Sequence, residues 1–188
     1  MAKKKAPKPW KDIQKNLLSK EDKIFNAAIK DLEKNGHESF LKPFVSLINS
    51  MDDKRKVASF GFLAKLKQKG AEKFMMDIIK DNNNQENKDM LLNCMWNSSL
   101  DYTSFFSDFV EIACDGKYIT ALECLTILEN LNGPFNEKQV LEAQLHLKNY
   151  LENKKNNDEK EPLISEIALF IKKINEQLSD FDQEFIEL

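Results

Sequence analysis

Pairs of adjacent apolar residues, followed after two spacers by a second pair, punctuate this chain. Phe40-Leu41 precedes Phe44-Val45, Phe74-Met75 precedes Ile78-Ile79, and Phe105-Phe106 precedes Phe109-Val110. A weaker fourth copy sets Val140-Leu141 before Gln144-Leu145, where Gln144 interrupts the apolar pattern. The starting residues Phe40, Phe74, Phe105 and Val140 follow one another at 34, 31 and 35 residues. Apolar positions repeating four residues on fall on one face of a helix. A period of this length is the signature of stacked helical hairpins.

The stretches between the copies supply a second helix for each hairpin. From Glu21 to Asn35, Ile24, Phe25, Ala28, Ile29 and Leu32 share a face, and Asn35-Gly36 provides a stop. The partner helix, His37 to Asn49, contains Pro43, which is expected to bend it. Asp52 and Asp53 favour the start of the next helix, Lys54 to Lys69. Gly61 inside that helix costs about 1 kcal/mol against Ala and is expected to permit close helix approach. Ala71 to Lys80 follows Gly70, and Asp81 to Asn87 reads as a polar loop between repeats. The third pair is Lys88 to Ser98, with Met90, Leu91, Cys94 and Met95 inward, and Tyr102 to Cys114. The fourth is Lys117 to Leu131 and Glu137 to Leu151. Residues 153–161 read as a solvated linker before a capping helix, Pro162 to Gln177.

These elements predict one domain over residues 21–178, with repeats at about 21–50, 53–82, 86–115 and 117–152 and a cap at 162–178. Residues 1–20 form a basic, partly disordered leader that Trp10 anchors, and residues 179–188 an acidic tail. Composition agrees with helices: five Gly and five Pro against thirteen Phe give few turn residues for a many-stranded sheet. The fold class expected is all-α.

Charge narrows the partners. The net charge is −3, yet residues 1–20 carry seven Lys and one Asp, which leaves an acidic body. Phosphate binding depends on a cationic surface, so nucleic acid is the minority reading, carried by the leader alone. Cys94, Cys114 and Cys124 lie on apolar stretches without the close Cys/His pairs of a zinc site. They read as buried free thiols in a reducing compartment. Lys11, Asp12, Gln14 and Lys15 interrupt what a signal peptide would need as an apolar run. No window reaches the ~20 apolar residues of a membrane span. A cytoplasmic monomer without membrane contact is expected.

The segment Asp53-Lys54-Arg55-Lys56-Val57-Ala58, continuing to Leu63, Ala64 and Leu66, resembles the first helix of a short HEAT repeat. An acid opens it, a basic residue follows, and Ala and Leu recur at helical spacing. With the hairpin layout, the resemblance to HEAT-like, armadillo-type repeats covers about residues 21–152. It implies a right-handed α-α superhelix, a short α-solenoid of about four hairpins plus the cap. The first helices of the hairpins would line its convex side and the second helices its concave side. Such arrays typically serve as protein-binding scaffolds or adaptors; some bind nucleic acid, and a few are enzymes. Fold alone does not choose among these.

Superposing the motif copies locates the residues turned from the core. Three positions after each start stand Pro43, Asp77, Asp108 and Ala143; six after stand Ser46, Lys80, Glu111 and His146. On parallel stacked helices Asp77, Lys80, Asp108, Glu111 and His146 would form a concave strip with an acidic middle. That strip suits a basic or polar protein segment; ordinary solvated helix residues are the alternative. Phe181 and Phe185, among the acids of the tail, are candidate contacts for a partner. No Gly-rich phosphate loop, nucleophile elbow or metal spacing occurs. The expectation is therefore a non-enzymatic interaction scaffold without cofactor, metal or catalytic residue, with an enzyme built on the repeats as the remotest reading.

Overall fold

A computed structural model of the chain describes residues 9–154 and 156–186, apart from the side chains of Asn35 and residues 179–186. The described residues form ten α-helices joined by turns and short 3-10 segments, with no strand among them. The chain is all-α. It divides into two compact units, the first ending at Leu100 and the second beginning at Asp101.

In the first unit, α1 (Trp10–Leu17) lies within the basic leader and packs on α2 (Asp22–Asn35). Ile13 and Leu17 are buried, and the Trp10 ring stands 5.5 Å from that of Phe40. Residues 1–8, the rest of the lysine-rich start, lie outside the described residues. A 3-10 turn at Glu38–Phe40 leads into α3 (Leu41–Ile48). Pro43 therefore sits in the first turn of α3. There a backbone N–H has no intrahelical acceptor to lose, so the expected cause of a bend is removed.

Asp52 caps α4 (Asp53–Leu63), its carboxylate accepting the Arg55 backbone N–H at 3.0 Å. The helix ends six residues before Lys69, although Leu66 in the following turn remains buried. Gly61 is exposed, and a Cβ built there would meet nothing within 4 Å. Close helix approach is thus not its role. Gly70, at φ 99°, takes the left-handed conformation that admits glycine readily and starts α5 (Ala71–Lys80). The expected polar loop contains a 3-10 helix, Asn82–Asn87, in which Asn84 is buried. Its carboxamide donates to the Ile78 carbonyl at 3.0 Å, satisfying one acceptor at the end of α5. In α6 (Lys88–Asn97), Leu91, Leu92, Cys94 and Met95 are buried, whereas Met90, expected inward, is exposed.

Two layers result within this unit. α2 packs on α4 and α4 on α6, while α3 packs on α5. Phe44 of α3 and Phe62 of α4 meet between successive hairpins, edge to face at 5.3 Å. Arg55 ties α4 back to the start of α2. Its guanidinium donates to the Lys20 carbonyl at 2.9 Å and stands 5.3 Å from the centre of the Phe25 ring.

The second unit opens with a 3-10 turn at Thr103–Phe105, followed by α7 (Phe106–Asp115) and α8 (Tyr118–Glu129). α9 (Glu137–Asn153) and α10 (Glu161–Ile186) complete it. α7 packs on both α8 and α9, and α10 closes against α8 and α9. Phe106, Phe109, Ala113, Ala121, Leu128, Ala143 and Ile167 are fully buried at its centre. A capping box opens α9: Asn136 accepts the Gln139 N–H, and Gln139 accepts the Asn136 N–H.

The fourth motif copy falls one residue earlier than its apolar letters suggest. The first three copies bury Leu41, Phe44 and Val45, then Met75, Ile78 and Ile79, then Phe106, Phe109 and Val110. On α9 the buried residues are Val140, Ala143, Leu147 and Tyr150, while Leu141 and Leu145 are 68% and 55% exposed. Gln139 thus occupies the place of Phe40, Phe74 and Phe105. Its carboxamide donates to the Thr103 carbonyl at 2.9 Å, so a polar contact replaces an aromatic one.

Candidate functional site

The second unit contains a cleft of about 1010 Å³ above the end of α7. Its floor is Glu111, Cys114 and Asp115 of α7. One wall is the start of α8, where Tyr118 and Ile119 are exposed. The other is the second half of α9, with His146, Asn149 and Asn153 on one helical face. The turn Asn156–Lys160 lies across the end.

Lys160 organises this region. It is only 7% exposed, and its ammonium donates to the carbonyls of Ala113 at 3.2 Å, Gly116 at 2.6 Å, and Cys114. All three ammonium protons are thereby used. They meet carbonyls left without intrahelical donors where α7 ends, at the negative pole of its dipole. The ammonium also lies 5.2 Å from the centre of the Tyr150 ring. The Tyr150 hydroxyl donates to Asp158 at 2.9 Å, and Asp158 in turn accepts the Lys160 backbone N–H at 3.2 Å. Asn157, at φ 59°, supplies the left-handed residue this tight turn requires. The linker expected to be solvated thus carries a buried cation.

Electrostatics in the cleft follow from these contacts. Burial pushes the Cys114 thiol up to about 11; the Lys160 ammonium opposes the rise and Asp115 adds to it. Burial and the hydrogen bond to Asp158 raise the Tyr150 phenol well above its ordinary value. Both groups are therefore protonated at neutral pH, which leaves neither as a ready nucleophile or base. No group of three or more His, Cys, Asp or Glu among the described residues could hold a metal ion. Cys94, Cys114 and Cys124 are all buried free thiols.

The structure brings together two of the five residues of the expected strip. Glu111 and His146, from different helices, line the same cleft. Asp108 lies half-buried in the first turn of α7 and is not among the lining residues. Asp77 and Lys80 are exposed on α5 in the first unit. Phe181 and Phe185 lie on the α10 backbone, outside the described side chains. With the fourth copy shifted by one residue, Glu142 takes the position equivalent to Asp77 and Asp108, displacing Ala143. It accepts the Ser107 hydroxyl at 3.1 Å. Sequence reasoning also missed Lys160, Tyr150 and Asp158, although Asn157-Asp158 followed by Pro162 carries the signal of a turn into a helix.

No family model, curated protein or solved structure matches the chain. No helix of the described residues is long and apolar enough to cross a membrane.

Proposed function

We propose that this chain is a non-enzymatic scaffold of HEAT-like hairpins that binds another protein through the cleft of its second unit. The observation that carries this reading is the pairing of an acidic floor with an apolar wall. Tyr118 and Ile119, 43% and 48% exposed, border the same opening as Glu111, Asp115 and His146. Two of the three lysines there are turned to internal tasks, the Lys160 charge facing carbonyls and Lys154 pairing with Glu161, while Lys117 is exposed. The opening is accordingly net acidic, with the carboxylates of Glu111, Asp115, Asp158 and Glu159 against three lysines. It favours a basic or polar polypeptide segment and disfavours nucleic acid.

The layers α2, α4, α6 and α3, α5 support a HEAT-like stack, as does the Arg55 link from one hairpin to the one before. The three free cysteines suit a cytoplasmic setting.

Photo-crosslinking tests the reading. A photoreactive residue in place of Ile119 should trap a discrete polypeptide in extracts of the source cells. The same residue in place of Val57, 72% exposed on α4 of the first unit, should not trap it. Equal trapping at both positions, or none at Ile119, would contradict a binding cleft.

A further inference from the structure

We infer that the turn Asn156–Lys160 is a latch: the end of α7 forms a binding site for a primary ammonium group, occupied by the chain's own Lys160, and its release uncovers Cys114. This goes beyond the partner-binding reading and does not depend on it.

Three observations support the latch. The ammonium has as many acceptors as protons, in the carbonyls of Ala113, Cys114 and Gly116, with the Tyr150 ring alongside. This is a complete coordination shell for an alkylammonium ion, built from backbone that α7 cannot satisfy itself. Second, apart from the hydrogen bond between Asp158 and the Tyr150 hydroxyl, the turn that delivers Lys160 has little to hold it, since Asn156, Asn157 and Glu159 are exposed. Lifting it would uncover little apolar surface, the mark of a segment that opens locally rather than with the whole fold. Third, Cys114 shares its carbonyl with the ammonium and lines the cleft at 9% exposure, whereas Cys94 and Cys124 are 2% and 0% exposed in the core. Water reaches the freed carbonyls when the latch opens, so opening leaves no buried acceptor unpaired.

Pulsed iodoacetamide labelling of the full chain, with each cysteine followed by peptide mass spectrometry, tests this. Lys160→Ala should speed Cys114 labelling by about tenfold or more, as expected for a local opening made easier, and leave Cys94 and Cys124 unchanged. Loss of the nearby ammonium would by itself make the thiol less acidic, so a faster rate reports access. Propylammonium, which matches the deleted atoms, should restore protection, and tetramethylammonium at equal ionic strength should not. Asp158→Ala, which removes the carboxylate shared by Tyr150 and Lys160, should give a smaller rise with the same selectivity and carries the test if Lys160→Ala does not fold. Unchanged Cys114 labelling, a parallel rise at all three cysteines, or equal protection by the two ammonium ions would overturn the latch.

Discussion

Gly61 lies in the interior of α4, exposed, with open space where a side chain would project. Nothing in its surroundings rewards the missing Cβ, and the helix carries the conformational freedom of glycine as a cost. Gly61→Ala should therefore raise stability by about 1 kcal/mol, read as a higher urea midpoint with an unchanged slope. Lys160 presents the opposite case. A lysine among Asn, Asp, Glu and other lysines has the composition of a solvated residue. Its burial depends on carbonyls more than forty positions earlier, a dependence that local pattern cannot show. Glu111 was legible as an outward position because helical spacing alone places it, whereas the shifted fourth copy puts Leu145 at the equivalent place and His146 lines the cleft from the next position. Tyr150 and Asp158 were not legible, because only the turn brings them together.

At the level of elements, the paired apolar motif identified helices correctly because it records which face is buried. The second, fifth and sixth positions of the first three copies are all buried. Helix ends were less legible, since side-chain caps and short 3-10 turns set them: α4 stops at Leu63, and α3 and α7 each begin after a three-residue turn. The register of α9 misled for a related reason. Leu141 and Leu145 look like core letters, but α7 meets the face of Val140, Ala143 and Leu147. Phe109, fully buried at the centre of the second unit, should cost about 3–5 kcal/mol when changed to Ala, measured by chemical denaturation. Truncating the exposed Leu141 should change stability by less than about 0.5 kcal/mol.

Two pairs of elements in the first unit are also tied by acids. Asp81, after α5, accepts the Asn83 backbone N–H and pairs with Lys42 of α3 at 3.0 Å. Asp22, at the start of α2, accepts from Lys54 of α4. The Asn83 hydrogen bond, then Lys42, hold the Asp81 carboxyl below its ordinary value of 3.8; the hydrogen bond and charge of Lys54 do the same for Asp22. A folded value below the unfolded one gives stability that is present at neutral pH and lost as pH falls through the folded value. Acid titration followed by carboxyl NMR should show both groups protonating below 3.8. Midpoints above it would contradict these pairings.

For the whole molecule, the period of 31 to 35 residues carried the all-helical architecture, and the acidic body of the chain pointed away from phosphate. The candidate site was only partly legible. A strip drawn by superposing helices treats each repeat alike, whereas the cleft arises where α8, α9 and the turn after α9 converge on one helix end. Function on this account concentrates in the second unit. The most direct test is quantitative capture of the partner trapped at Ile119, comparing Glu111→Lys with Asp77→Lys, the same charge change on exposed α5 of the first unit. Glu111→Lys should weaken capture at least about tenfold, a loss of about 1.4 kcal/mol, while Asp77→Lys leaves it close to wild type. Equal capture by all three proteins, or equal loss in both variants, would contradict a binding site in the cleft.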